Sequence, residues 1–359
     1  MKKLLCTVLS TVLAISSAAA LNMSAYADSA NTQQVSYNYW YNSSTGYTDE
    51  NVHTRQMEKL DRGLIAIKTD GGVYLSWRLF DSEDNIFGSA DKNVSFNVYR
   101  DGKKISEVAT KTNYVDSTVG TNYSVAPVIN GVEGEKCDAV TVYNNSYFDI
   151  PLSKPDDETI YDPSGNELAT YSFFPADCST GDVDGDGEYE IIVKWTSSER
   201  DVGSPGDPAY SGTVHLAAYK LDGTKLWKND IELGKNVYSS AHTVQFLIYD
   251  FDGDGKSEVM CQTSLGSKDG QGKYVSNAAQ TDEEIKAITD EENSTADYRG
   301  YGRITEGKEF LTVFNGETGV AMDTINLPTT RGSENGVDYG DDFGNRSNRF
   351  VSDIAYLDG

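Results

Sequence analysis

The sequence predicts an all-β chain in which a small N-terminal β-sandwich precedes the first blades of a β-propeller. Three observations carry this. Apolar and β-branched residues recur in short alternating stretches bounded by turn residues. Tyr and Gly are abundant, at 23 and 33 residues, while long helical periodicity is missing. One acidic, glycine-punctuated segment, Asp182-Val183-Asp184-Gly185-Asp186-Gly187-Glu188-Tyr189-Glu190, returns as Asp250-Phe251-Asp252-Gly253-Asp254-Gly255-Lys256-Ser257-Glu258.

Taken in order, Met1-Lys2-Lys3, the apolar run from Leu4 to Ala20 and the small-residue site Ala25-Tyr26-Ala27 form a secretory signal peptide over residues 1–27, so a secreted protein is expected. Residues 28–51 are rich in Asn, Gln, Ser and Tyr without apolar periodicity and read as a linker. Over 52–147, strands are expected at Leu64–Ile67, Val73–Arg78, Val94–Arg100, Tyr123–Val128 and Ala139–Tyr143, with turns at Asp70-Gly71-Gly72, Asp101-Gly102 and Asn130-Gly131. That spacing suits a fibronectin III-like sandwich, with Trp77 and Tyr99 as core residues. Excluding Cys6, the cysteines Cys137, Cys178 and Cys261 have no metal-ligand spacing and read as buried small residues.

After the connector at Pro151–Asp156, residues 155–359 form the partial propeller. Each acidic repeat places three carboxylates on alternate residues, Gly at the sixth position and Glu at the ninth, and runs straight into a strand: Ile191–Trp195 in the first copy, Val259–Thr263 in the second. Hard oxygen donors at that density suit Ca²⁺. The metal-site residues are Asp182, Asp184, Asp186, Glu188 and Glu190, then Asp250, Asp252, Asp254, Lys256 and Glu258. Further strands at His215–Trp227 and Phe310–Val320 each contain a Gly turn, so calcium loop, strand, strand, Gly turn, strand is read as one blade. The insertion Thr281–Ile288 opens with a capping box and reads as a short helix. A third unit starts at Phe350, and because two blades cannot close a propeller, the chain is expected to be an N-terminal fragment of a longer protein.

With 359 residues, of which 38% are hydrophobic and 11% of the whole chain aromatic, the chain can fill two domains. Its formal net charge of −26 disfavours nucleic acid and anionic membrane surfaces and favours bound cations; a monomer is expected.

From about Arg55 to Gly359 the chain resembles the family 11 polysaccharide lyases, the rhamnogalacturonan lyases. The words that carry the resemblance are Gly181–Ile191, Ala218–Gly223, Ala241-His242, Tyr249–Lys256, Leu311–Gly316, Gly344-Asn345-Arg346 and Ala355–Gly359. It implies a small β domain before a calcium-braced eight-bladed propeller with an axial cleft. It also implies cleavage of the rhamnogalacturonan I backbone of pectin by calcium-assisted β-elimination. Asp177 and His242 then become cleft candidates, although His242, like His215, also suits a structural role. Arg346 and Arg349 are candidates for the uronate carboxylate or for ordinary salt bridges. Where the family carries an Asn-Asp pair and an Asp after Lys-Trp, this chain has Ala176-Asp177 and Thr196. A non-catalytic, calcium-dependent carbohydrate-binding or adhesion propeller is the alternative these replacements favour. The catalytic acid and base are not legible.

Overall fold

The computed structural model describes residues 61–80, 83, 93–109, 111–162, 164–197, 212–239, 243–297, 307–329, 340, 346–349 and 351–354, with short paired segments at 41–42, 47–48, 299–300 and 303–304. The expected signal peptide and His242 lie outside them, as does most of the linker. The described chain is all-β apart from a few helical turns, and two compact units divide it between Asp149 and Ile150. Among the described residues no helix is long and apolar enough to cross a membrane.

The N-terminal segments β1 (Tyr41–Asn42) and β2 (Tyr47–Thr48) pair only with each other. The rest of the first unit is built from two antiparallel sheets. One has the order β3-β4-β7, from β3 (Ile65–Thr69), β4 (Gly72–Ser76) and β7 (Asn113–Asp116). The other has the order β10-β8-β5-β6, from β5 (Val94–Arg100), β6 (Lys103–Ala109), β8 (Asn122–Ile129) and β10 (Val140–Thr141), with β9 (Val132–Glu133) also on β8. Ala66, Val73 and Leu75 of the first sheet share one core with Phe96, Val98, Val108 and Val125 of the second. Trp77 joins that core edge-on to Phe96, with ring centroids 5.5 Å apart. Tyr99 is half-buried and its hydroxyl donates to Glu133. Strands β6 and β7 were not expected, because Lys103-Lys104-Ile105-Ser106-Glu107 and Asn113-Tyr114-Val115-Asp116 carry few apolar residues and are largely exposed or half-buried.

In the second unit a hairpin, β11 (Glu158–Tyr161) with β12 (Glu167–Tyr171), precedes two four-stranded meanders. The first runs β13 (Phe174–Gly181), β14 (Glu190–Thr196), β15 (His215–Tyr219), β16 (Ile231–Glu232), in that order across the sheet. The second runs β17 (Phe246–Tyr249), β18 (Glu258–Ser264), β21 (Glu309–Phe314), β22 (Ala321–Asn326). Between β18 and β21 lie α1 (Glu283–Lys286), α2 (Asp290–Thr295) and the pair β19 (Arg299–Gly300) and β20 (Arg303–Ile304). Helix α1 is capped by Asp282, whose carboxylate accepts from the Glu284 and Ile285 amides, so the cap sits one residue later than the Thr281 box implied.

Each meander opens one strand earlier than the sequence reading placed it, and the acidic loop is the turn between its first and second strands. The missed strand β13 is exposed along most of its length, so it has no apolar alternation to betray it. The central strands β14 and β18 are the reverse, buried at nearly every position because apolar residues pack on both faces. One face of each sheet meets a shared core that includes Ile192, Leu216, Val259, Cys261, Phe310 and Phe314. Of the three cysteines Cys261 is buried, but Cys178 on β13 is exposed, against expectation.

Candidate metal centre and exposed strand

Both acidic loops close the same register. Gly181 pairs with Glu190 across the first and Tyr249 with Glu258 across the second. The interiors share most of their bonds, and the second adds one from the Asp254 amide to Asp250 at 3.0 Å. The first Asp accepts from the fourth and sixth amides: Gly185 and Gly187 donate to Asp182 at 2.7 and 2.9 Å, Gly253 and Gly255 to Asp250 at 2.6 and 2.9 Å. The third-position Asp accepts from the fifth amide at 3.2 Å in each copy. The ninth-position Glu accepts from the second amide, Val183 to Glu190 at 3.0 Å and Phe251 to Glu258 at 2.8 Å. All four loop glycines lie at φ between +78° and +93°, as this tight winding of carboxylates requires. Val183, fully buried, plugs the first loop into the shared core.

The arrangement gathers anionic oxygen at one point. Ligand oxygens of Asp182, Asp184 and Glu190 lie within 4.8 Å of one another, as do those of Asp250, Asp252 and Asp254. Burial pushes the Glu190 carboxyl up to about 7, with Asp184 and Asp186 adding like-charge repulsion, and pushes Glu258 up to about 8, with Asp252 adding to it. Asp182 and Asp250 are raised for the same reason. Clustered carboxylates whose ionisation is resisted by their surroundings are relieved by a cation, and an all-oxygen donor set suits a hard one. The residues fit calcium. Two side chains read as part of the set behave differently: Lys256 turns its ammonium to Glu317 at 2.5 Å, and Glu188 is exposed.

Asp177 lies on exposed β13, with its side chain 55% exposed. One of its oxygens accepts from the Cys178 amide at 2.9 Å, and the other is 3.9 Å from the Lys194 ammonium. Lys194 is almost fully buried on β14 and donates to the Thr243 carbonyl at 3.1 Å; burial holds its ammonium below the usual lysine range. Sequence reasoning noted Lys194 only as part of a family word, yet it is the one buried cation beside a candidate residue among those described. Ala176 is the extra residue of a bulge, since Pro175 pairs with Trp195 and Asp177 with Lys194; it is exposed, and Thr196 is buried. Neither adds a polar group to the exposed face. Arg346 and Arg349 are exposed, with Arg346 donating to the Gly340 carbonyl at 3.2 Å. His215 sits edge-on to Phe173 and 3.5 Å from buried Asp230, the environment of a structural histidine.

Residues 147–359 match the rhamnogalacturonan lyase family 11 C-terminal domain, and residues 55–143 match the β-sheet domain of rhamnogalacturonan I lyases. The chain is 46% identical over 310 residues to rhamnogalacturonan endolyase YesW of Bacillus subtilis, covering 85% of this chain and 44% of that protein. It is 41% identical over 311 residues to rhamnogalacturonan exolyase YesX of the same organism, covering 85% and 45% respectively. The crystal structure of YesW aligns with a TM-score of 0.66 at 45% identity, over 85% of this chain and 47% of that one. A rhamnogalacturonan lyase structure from Bacillus licheniformis aligns at 0.64 with 45% identity, over 82% and 46%. The chain thus spans about half the length of the curated relatives it matches.

Proposed function

Since the chain belongs to rhamnogalacturonan lyase family 11, we propose that it is the N-terminal part of a secreted lyase that cleaves the rhamnogalacturonan I backbone of pectin by β-elimination. In this reading the first unit is the fibronectin III-like domain, and the two meanders are consecutive blades of a calcium-braced propeller. Family membership is the observation that carries it. The acidic loops support it, because each holds the start of a meander's second strand through the buried Glu190 or Glu258.

The loop carboxylates, Asp182, Asp184 and Glu190 in one and Asp250, Asp252 and Asp254 in the other, would hold the metal. Calcium bound to a uronate substrate supplies positive charge against the C6 carboxylate, which makes the adjacent C5 proton easier to remove. This chain contributes an exposed strand with Asp177 positioned for hydrogen bonds to sugar hydroxyls. Lys194 behind it offsets charge on Asp177, so that an acidic protein can admit an acidic polymer.

Incubation of the complete protein, of which the chain is the proposed N-terminal part, with rhamnogalacturonan I should raise the ultraviolet absorbance of unsaturated uronate ends, a rise abolished by EDTA and restored by calcium, and its failure to appear would reject the lyase reading. No rise from a folded, calcium-replete chain would reject catalysis by these 359 residues. The exposed Ala176 and buried Thr196 favour one second reading, a calcium-dependent carbohydrate-binding propeller. Retardation of the chain by rhamnogalacturonan I in affinity electrophoresis, without cleavage, would single it out.

A further inference from the structure

The two loops share the bonds made by their first, third and ninth carboxylates, and they differ in the side chain that approaches them from the end of the third strand. Across the first meander Ile191 pairs with Tyr219, and across the second Val259 pairs with Phe314, so Lys220 and Asn315 hold equivalent positions at the end of the third strand. Lys220 turns its ammonium into the first loop, 2.6 Å from Asp184 Oδ2, 2.9 Å from Asp186 Oδ2 and 3.8 Å from Glu190 Oε1. Asn315 turns away from the second loop, and its Oδ1 accepts from the Thr318 amide at 2.9 Å and hydroxyl at 2.7 Å. Lys256 does not fill the role either, since its ammonium goes to Glu317. Among the described residues, no lysine or arginine pairs with Asp250, Asp252, Asp254 or Glu258.

We infer that Lys220 makes the two loops unequal cation sites: the second loop takes calcium first, and the first takes it only in competition with the Lys220 ammonium. The physical reason is local. An ammonium and a divalent cation sharing the carboxylates of positions three and five repel each other, and every oxygen that Lys220 engages must be shared or released. In exchange, Lys220 lets the first loop keep its fold at low calcium by neutralising carboxylates that otherwise repel. The inference rests on reading both loops as calcium sites.

The test is isothermal titration of the full chain with calcium alone, with thermal melting in EDTA as a second readout. The unmodified chain should show two unequal sites, and Asp252→Asn should remove the tighter one. Lys220→Gln should tighten the weaker site by roughly tenfold while lowering the melting temperature in EDTA. Asn315→Lys, which carries the test if the Lys220 variant fails to fold, should weaken the tighter site. Two equal sites in the unmodified chain, or a Lys220→Gln chain that folds and binds calcium no more tightly, would overturn the inference and leave the calcium reading intact. No calcium binding by any of these chains would overturn both.

Discussion

Glu190 and Glu258 stand at the ninth position of their loops, and their ionisation ties stability to pH. Their carboxyls are raised from the ordinary 4.5 to about 7 and about 8. A carboxyl raised this way holds a proton in the folded state where the unfolded chain has already lost it. Its stabilising contribution is complete below about pH 4.5 and is lost as pH rises through the folded values. Carboxyls shifted the other way, such as Asp116 beneath the Thr118 amide and Arg100, or Asp230 beside His215 and Lys225, titrate below the ordinary 3.8 and give no slope in that window. In EDTA the melting temperature should therefore fall between about pH 5 and about pH 8, with a limiting slope near 1.4 kcal/mol per pH unit for each group. Calcium binds the ionised carboxylate, so its stabilising effect should grow over the same range. A metal-free melting temperature that rises from the lower to the higher pH would contradict this account.

One turn of the second unit, the one that carries Gly316, leaves no room for a side chain. The two loops touch: the Ser257 amide donates to the Asp182 carbonyl at 2.7 Å, and Gly316, in the turn after β21, lies against both. A Cβ at Gly316 would stand 1.9 Å from the Ser257 carbonyl oxygen and 2.8 Å from the Val183 side chain. The Gly316 carbonyl meanwhile accepts from the buried Trp227 indole at 2.7 Å. Gly316→Ala should cost roughly 2–4 kcal/mol in urea denaturation, because backbone rather than a flexible side chain must move. Gly102, at φ +79° but with nothing within 4 Å of its would-be Cβ, provides the comparison. Its replacement by Ala should cost only about 1 kcal/mol. Equal losses at the two positions would show that close packing around Gly316 is not what makes it necessary.

The whole molecule separates its candidate calcium loops from its first core. Every loop carboxylate lies beyond Ile150, whereas the core built on Ala66, Leu75, Phe96 and Val125 lies before it. Differential scanning calorimetry should resolve a transition that is indifferent to calcium and one that rises with it, by about 2.7 kcal/mol at a hundredfold excess over Kd for each site filled. Uniform calcium dependence of both transitions would mean that the units melt as one. The same separation bears on the proposed lyase activity, since Asp177, Lys194 and both loops belong to the second unit.

The all-β class, both acidic loops, the strands they lead into and the family were legible in the sequence, because each is written in contiguous residues. Three carboxylates on alternate positions with glycines between them can only wind tightly, and a strand buried on both faces shows as an apolar run. Strands β6, β7 and β13 were not legible, since exposed strands need no apolar period and gain their partners from elsewhere in the chain. Nor was the exposure of Cys178, which follows from its place on β13. Tertiary structure alone decided that Lys220, 34 residues beyond Asp186, turns into the first loop while Lys256, inside the second, turns out of it. It likewise set buried Lys194 beside Asp177. Both are choices of partner by long, flexible cationic side chains, and such choices depend on which carboxylates the sheet register brings within reach rather than on neighbours in sequence.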